Sequence, residues 1–470
     1  MRTLGVALVL AAVAGLAWAD TIYVDVHNNT GVEDGSTANP YNTIQEGIDA
    51  ASNGDEVIVA PGTYHERVDF WGSGITADFT LRSTDPEDPA VVATTIIEGS
   101  WGDPVVRFDG PETESFVLSG FTVTGGHGYY TDGGGISGSG THATISHCVV
   151  TGNSVEDPML ASGGGLARCH GPISDCIVTG NSAIIDYPEE WSMAFGGGLY
   201  ECDGPITDCL IADNWVTASG TDSCATGGGL KDCDGPITNC TFVGNSATAS
   251  GDMSYAGGGG LAYAGGSITN CIVWGNTAPH DPQIRACSVP SYCCIQGWTG
   301  GGTGNTAGDP LFVSGPNGDY YLSQLASGQG ADSPCVDAGS GTAASLGLDE
   351  LTTRTDEKAD AGTVDMGYHY PVPSPYVIEL SAGWNLISCV GLDEVPLASV
   401  AFRGTPWDST WEEAVALGCI QDPAFYYEPG VGYQQLGLPA PPRHSDEMNP
   451  QLGYWLLMYQ PGLSLVIPEP

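Results

Sequence analysis

Two sets of side chains in this 470-residue sequence have the types and spacing to do chemistry. The first is acidic. Asp203 and Asp234 are 31 residues apart, and so are Glu201 and Asp232. His170 precedes the first pair at the equivalent position and Arg168 the second, while Asp175, Asp208, Asn239 and Asn270 form a third series. If the chain stacks with this period, equivalent residues lie about 4.8 Å apart. Like charges at that distance repel unless a cation or a proton lies between them. Such columns offer calcium the oxygen ligands it prefers, and Glu201, Asp203, Asp232 and Asp234 are the candidate ligands; the alternative is a row of solvated turn acids. The second set mixes aromatics (Tyr187, Trp191, Phe195, Trp215, Tyr255) with acids (Glu156, Asp157, Asp186, Glu189, Glu190, Asp222, Asp252). Flat rings stack on sugar faces and carboxylates accept from sugar hydroxyls. Tyr187, Trp191, Trp215 and Tyr255 are therefore candidate glycan contacts, the alternative being that these rings pack their segments onto the scaffold.

No complete catalytic set accompanies either group. Glycoside hydrolysis needs two carboxylates at a defined separation, and Asp132 stands alone beside Gly126-His127-Gly128, which reads as a turn. Only Arg168, Lys231 and Arg285 offer a base near the acids. Gly300 to Gly304 lacks the Gly-Lys-Ser/Thr ending of a phosphate loop. Whether the chain is an enzyme stays open at this level.

The elements that must position these residues are repeats. Gly133-Gly134-Gly135-Ile136 opens the first copy, and Gly-Gly-Gly-Leu opens four more at Gly163, Gly196, Gly227 and Gly258. Each copy closes on Cys-x-x-x-x-Asn: Cys148/Asn153, Cys176/Asn181, Cys209/Asn214, Cys240/Asn245 and Cys271/Asn276. A fixed period near 31 residues with short apolar runs marks a stacked solenoid. Runs such as Ile206, Leu210 and Ile211 are too short for helices and read as strands. The insertions Ser154–Ser162, Ser182–Phe195, Trp215–Thr226 and Ser246–Ala256 recur at one place in the period, so they should stack along one edge. Leu199-x-x-Cys202 and Ile206-x-x-Cys209 cannot both face inward on straight strands, so a bend must intervene. Asn tolerates the left-handed conformation of a tight corner, which gives the Asn column a structural role.

Composition narrows the function classes. With 11 Lys+Arg against 56 Asp+Glu the formal net charge is −45. Nucleic acid and anionic membrane surfaces are excluded as partners, because both need clustered cations. Residues 1–19 resemble a secretory signal peptide: Arg2, an apolar run from Leu4 to Leu16, then Ala17-Trp18-Ala19. No other apolar stretch approaches the length of a membrane span, so the expected mature chain is exported, lacks a transmembrane segment and starts near Asp20. Fifteen cysteines in that compartment raise the question of disulfides. Cys148, Cys176, Cys209, Cys240 and Cys271 recur once per coil, and Cys169, Cys202 and Cys233 form a second column. Parallel Cβ vectors suit a disulfide dihedral poorly, so free ladders are expected, with Cys293, Cys294, Cys389 and Cys419 the better disulfide candidates.

Asn42 to Ala51 has helical spacing (Ile44, Gly47/Ile48, Ala51) with Asn42 or Thr43 as cap, suited to covering the open first coil. Asn39-Pro40-Tyr41-x-Thr43-Ile44-Gln45, Gly54-Asp55-x-Val57 and Val59-Ala60-Pro61-Gly62-Thr63-Tyr64 resemble the opening of exported bacterial proteins with the right-handed parallel β-helix, pectate-lyase-like fold. The Gly-Gly-Gly-Leu and Cys…Asn repeats resemble that family's coils. Asp309-Pro310-Leu311-Phe312, Ser333-Pro334-Cys335-Val336-Asp337-Ala338-Gly339 and Val364-Asp365-Met366-Gly367-Tyr368-His369-Tyr370 resemble its closing segment. The resemblance implies an all-β chain: a parallel β-helix over 20–310 with an N-terminal capping helix, a closing segment over 311–370, a Pro-rich linker at 371–375 and a small β-domain over 376–470. It implies little about activity; the aromatic and acidic strip favours binding of extracellular polysaccharide or another surface partner along the insertion edge, and the alternative is a polysaccharide lyase or glycoside hydrolase of this fold, calcium-dependent if a lyase. Gly126-His127-Gly128 is similar to one polygalacturonase motif, but that family's Asn-Thr-Asp, Asp-Asp and Arg-Ile-Lys motifs are missing. One fold hosts many chemistries.

Overall fold

A computed structural model describes residues 19–70, 78–108, 110, 112–157, 159–186 and 191–372, and the backbone of strand segments between 376 and 467. Three parallel sheets enclose the main core. The first runs from Thr21–Val24 and Glu56–Val59 to Ile268–Thr269, the second from Gly62–Tyr64 to Cys294–Ile295, and the third from Val68–Asp69 to Ile284–Arg285. Equivalent apolar residues of successive coils stack in register: Ile173, Ile206, Ile237 and Ile268 in the first sheet, Val178, Ile211, Phe242 and Val273 in the second, Leu166, Leu199, Leu230 and Leu261 in the third. All belong to one continuous buried cluster, and each such side chain contributes about 1.5–3 kcal/mol by leaving water. The chain is thus a parallel β-solenoid.

The expected bend sits on one residue per corner. Leu199 and Cys202 are both buried although three apart, as are Ile206 and Cys209. Between them Glu201 (φ 48°) and Asp208 (φ 47°) adopt the left-handed conformation, as do Arg168, Asp232 and Tyr263 at one corner and Asp175, Asn239 and Asn270 at another. Reversing one residue turns the strand and returns the next side chain to the core. The short polar side chains of Asp and Asn tolerate this backbone better than most. The Asn column does something else. Asn153, Asn181, Asn214, Asn245 and Asn276 are not left-handed; the preceding residues Gly152, Gly180, Asp213, Gly244 and Gly275 are. Each Asn amide instead donates to the carbonyl oxygen of the next, at 3.0, 3.0, 3.0 and 2.9 Å along the column.

The capping helix spans Ile44–Ala50 with Thr43 as N-cap, and Ile44, Gly47 and Ile48 face the core. The Glu66 carboxylate accepts from the backbone N–H of Ile44 and Gln45, supplying two helix-start donors with a partner. A second short helix, Pro89–Thr94 capped by Asp88, has no counterpart among the sequence expectations.

The segment after the last coil lies against the outer side of the second sheet. Its hairpin, Phe312–Gly315 with Gly318–Leu322, and its final strand place Tyr321, Tyr368 and Tyr370 against Leu210, Ala212 and Val243. Asn270 grips it twice: its Oδ1 accepts from the Ser340 N–H at 2.7 Å, and its backbone carbonyl accepts from the Gly367 N–H at 2.8 Å. Asp208, from the third of the acidic series, is buried beneath it. Asp208 Oδ1 accepts from the His369 N–H at 2.9 Å, and His369 Nε2 lies 3.1 Å from Asp360 Oδ2. The segment approaches from the flank, so Asp208 exchanges water for an imidazole.

The chain divides into two units, Met1–Val372 and Pro373–Pro470, within the expected linker. In the second, Gly383–Ser388 pairs antiparallel with Gly453–Met458, and Tyr376–Leu380 pairs antiparallel with Leu463–Ile467. Residues 1–18 of the signal-like stretch, and Cys389 and Cys419, lie outside the described residues. Among the described residues no helix is long and apolar enough to cross a membrane.

The Asp208–His369–Asp360 contact makes stability depend on pH. Burial opposes the imidazolium, but the bonds to Asp208 and Asp360 outweigh it and raise His369 from 6.5 to about 10. Burial raises Asp208 to about 6, against its bonds to His369. A raised histidine pKa contributes stability that is full below 6.5 and is lost as pH climbs through 10. Melting curves between about pH 7 and 10 should show stability falling by up to about 1.4 kcal/mol per pH unit. The same series on His369→Gln should start lower and be flatter over that window.

Candidate ligand-binding face

The coil insertions build a second structure on the solenoid. After each Asn, the chain enters a fourth sheet (Ser154–Glu156, Ser182–Asp186, Trp215–Ser219, Ser246–Ser250). It returns through a fifth (Leu160–Ser162, Trp191–Phe195, Asp222–Thr226, Tyr255–Gly257) before the glycine triplet. Their facing sides meet in a separate core of small residues: Val155, Ala183, Val216 and Ala247 from one, Ala161, Ala194, Ala225 and Ala256 from the other. Alternating small inward residues let two sheets approach closely, so the insertions form a two-layered fin with two outer faces. The stacking expected from the sequence is present, but the expected single aromatic strip is divided. Trp215 lies on the fourth sheet, whereas Trp191 and Tyr255 lie on the fifth. Tyr187 lies outside the described residues.

The outer face of the fourth sheet gathers more aromatics than the insertions alone supply. Trp101–Gly102 and His127–Tyr129 extend this sheet toward the N-terminal coils. One outward column therefore reads Trp101, His127, Ser154, Ser182, Trp215 and Ser246. Trp101 is 71% exposed and Trp215 38%, and four strand spacings put them roughly 19 Å apart. The Trp101 ring stacks on His127 at 4.8 Å and on Tyr129 at 5.8 Å, and Tyr129 meets Tyr130 edge-on at 4.4 Å. Tyr130 is 64% exposed. Gly126-His127-Gly128 is accordingly not a turn but the start of a strand. The signal that would have found this cluster is the alignment of Trp101-Gly102 with His127-Gly128, two copies of one short pattern in coils whose repeat is otherwise blurred.

His127 invites a catalytic reading that its surroundings do not support. Its Nδ1 is 2.6 Å from Ser154 Oγ and its Nε2 is 3.6 Å from Glu156 Oε2, which brings a serine, a histidine and a carboxylate together. Acyl transfer also needs donors for the developing oxyanion. The backbone N–H groups of Ser154 and Ser182 are committed to the carbonyls of Gly126 and Asn153, each at 2.9 Å. The arrangement fixes the His127 ring beneath Trp101.

Trp191 is exposed on the outer face of the fifth sheet, whereas Tyr255 and the four acids are engaged in the scaffold. The Tyr255 ring stacks on His280 at 5.1 Å and carries the Arg285 guanidinium 4.4 Å from its centroid. Glu201 pairs with Arg168 at 3.0 Å, and Arg168 also meets Asp132 at 3.1 Å. Asp232 pairs with Lys231, whose Nζ stands 4.0 Å above Phe195. Asp203 Oδ1 accepts from the Asp234 N–H at 3.1 Å and Asp234 Oδ1 from the Gly265 N–H at 3.0 Å. The columns exist as expected, but hydrogen bonds and cations separate their charges. Among the described residues no group of three or more His, Cys, Asp or Glu is arranged to hold a metal, and calcium needs six to eight oxygens. The four acids do not fit a calcium cage.

No family model, no curated protein and no solved structure matches the chain. The class of molecule is therefore defined by its own geometry: a parallel β-solenoid carrying a two-sheet fin.

The fin rests on the buried Asn column. Asn214 accepts at Oδ1 from both the side chain and the backbone N–H of Asn181 and donates to Asn245 and to the Val178 carbonyl. The Asn181 side chain also donates to the Val150 and Thr179 carbonyls, so Asn214→Leu leaves the Asn181 backbone N–H buried and unpaired, a loss of roughly 1–3 kcal/mol. Denaturant unfolding should show the midpoint falling accordingly, whereas Trp191→Ala, at a side chain that is 52% exposed, should shift it little.

Proposed function

We propose that the protein is exported and binds an extracellular polysaccharide along the outer face of the fourth sheet, with Trp101 and Trp215 as the two ring platforms. The observation that carries this reading is Trp101: a large apolar ring, mostly exposed, held flat by His127 and Tyr129 at the head of a column that ends near a second tryptophan. Contiguous exposed apolar surface, unlike a single exposed ring, marks interaction sites, and Trp101, Tyr129 and Tyr130 lie in contact. A pre-stacked ring also loses little conformational freedom when a sugar settles on it. Ser154, Ser182 and Glu156 lie between or beside the platforms and offer hydroxyl and carboxylate partners to sugar hydroxyls. A separation of roughly 19 Å suits a chain of several sugar units better than a single one.

Charge narrows the ligand class. A net charge of −45 repels a polyanionic glycan at low salt, and screening relieves that repulsion only beyond about 8–10 Å at physiological ionic strength. Neutral polysaccharides fit this surface better. The test is retention of the intact protein on immobilised neutral polysaccharides (cellulose, xylan, mannan) beside acidic ones (polygalacturonate, alginate). Retention on at least one neutral polymer is expected, with Trp101→Ala and Trp215→Ala each weakening it about tenfold, the scale of one lost stacking contact. Trp191→Ala, on the opposite face of the fin, should leave it unchanged. Equal loss in all three variants, or loss in Trp191→Ala alone, places the site elsewhere.

A further inference from the structure

The described cysteines are all free thiols, but they do not all stand in the same relation to one another. Most belong to two ladders. In the first, Cys293 extends the column of Cys148 to Cys271, and the Cys271 N–H donates to Cys293 Sγ at 3.3 Å. Its thiols are satisfied locally; Cys209, Cys240 and Cys271 each donate to the carbonyl two residues back at 3.2 Å. In the second ladder the coil after Cys233 carries Ala264, whose N–H donates to Cys287 Sγ at 3.3 Å. Ladder register holds these side chains parallel, a poor geometry for a disulfide.

Cys294 departs from this pattern. It follows Cys293 directly on a strand, so it faces the other way, out of the main core and toward the closing segment. There it shares a buried cluster with Cys335, Leu322 and Met366. Cys294 Sγ donates to the Gly308 carbonyl at 3.1 Å, and Gly308 packs against Pro334, the neighbour of Cys335. Both thiols are fully buried in that one cluster. The two come from different segments 41 residues apart, so no strand register forces their Cβ vectors parallel.

We infer that Cys294 and Cys335 are joined by a disulfide when the chain folds under oxidising conditions, tying the closing segment to the last coil. Each thiol gives up its hydrogen; two electrons and two protons pass to a disulfide oxidant such as oxidised glutathione or a thiol-disulfide oxidoreductase, which leaves as two thiols. The hydrogen bond with Cys294 and then burial raise the Cys335 thiol well above 9.0. Little thiolate is available once the segment has docked, and both sulfurs are shielded from solvent. The bond therefore forms during folding, before the segment closes. It would pin the segment at the last coil, at a distance along the chain from the His369 contact.

The test is to unfold and reduce the full chain, refold it in a buffer of reduced and oxidised glutathione, block free thiols in denaturant with iodoacetamide, and map peptides without reduction. A major cross-link between the Cys294 and Cys335 peptides is expected, with the ladder cysteines alkylated; a cross-link between Cys389 and Cys419 in the second unit would not bear on it. Reduction of the refolded protein should lower the melting temperature by roughly 5 °C or more, and Cys294→Ser and Cys335→Ser should each abolish that difference. Recovery of both peptides fully alkylated overturns the inference, as does a dominant cross-link within either ladder. The mapping uses the unmodified protein, so its outcome decides the matter even if a variant folds poorly.

Discussion

One left-handed residue at each corner is the constraint on which the rest of the solenoid depends. A coil of three short strands encloses a core only if side chains on both sides of each bend point inward, and a straight strand forbids that for residues three apart. Glu201 and Asp208 reverse the backbone at φ 48° and 47°, and Leu199, Cys202, Ile206 and Cys209 all reach the interior. The reversal has a cost for any residue with a Cβ. It is offset by the apolar columns it creates, where each buried side chain gains from the coil above and the coil below.

The same corners set the chemistry of the surface. A left-handed residue points its own side chain outward, so the corner columns are where charge accumulates: Arg168, Glu201, Asp232 and Tyr263 on one edge, Asp175, Asp208, Asn239 and Asn270 on another. Spacing of about 4.8 Å would make a column of acids self-repelling. The molecule avoids this by alternation and by backbone donors. Arg168 stands beside Glu201, Lys231 beside Asp232, and the N–H groups of Asp234 and Gly265 take up Asp203 and Asp234. Cations of a strongly acidic chain are thus spent holding its edges together, while the aromatic face of the fin stays open to solvent at Trp101 and Trp215.

The closing segment obeys different physics. The inner columns are dry and uniform, whereas this segment docks through polar groups buried with partners: Asn270 with Ser340, Asp208 with His369, and Asp365 with Gln324, Thr353 and the Asp337 N–H. Such networks are costly when half-made and specific when complete. They tell the chain where along the second sheet to stop, which a flank of stacked aliphatic residues alone would not.

Much of this was legible in the residues themselves. The period, the apolar columns, the need for a bend and the capping helix follow from local pattern, because stacking in a solenoid is a nearest-neighbour matter and sequence period translates directly into spatial column. The role of the Asn column was only partly legible, since preceding Gly and Asp residues take the left-handed turn and leave the amides free to bond along the stack. What period could not determine was anything that depends on which faces meet. The division of the insertion aromatics between two sheets followed from the small-residue core between them, and the membership of Trp101 and Tyr129 in one cluster followed from pairing across coils whose repeat had faded. The burial of Asp208 and the meeting of Cys294 with Cys335 depend on a segment that returns from far along the chain. Contacts of that kind are made by docking two finished surfaces, and the complementarity of surfaces, unlike the period of a repeat, exists only once both have folded.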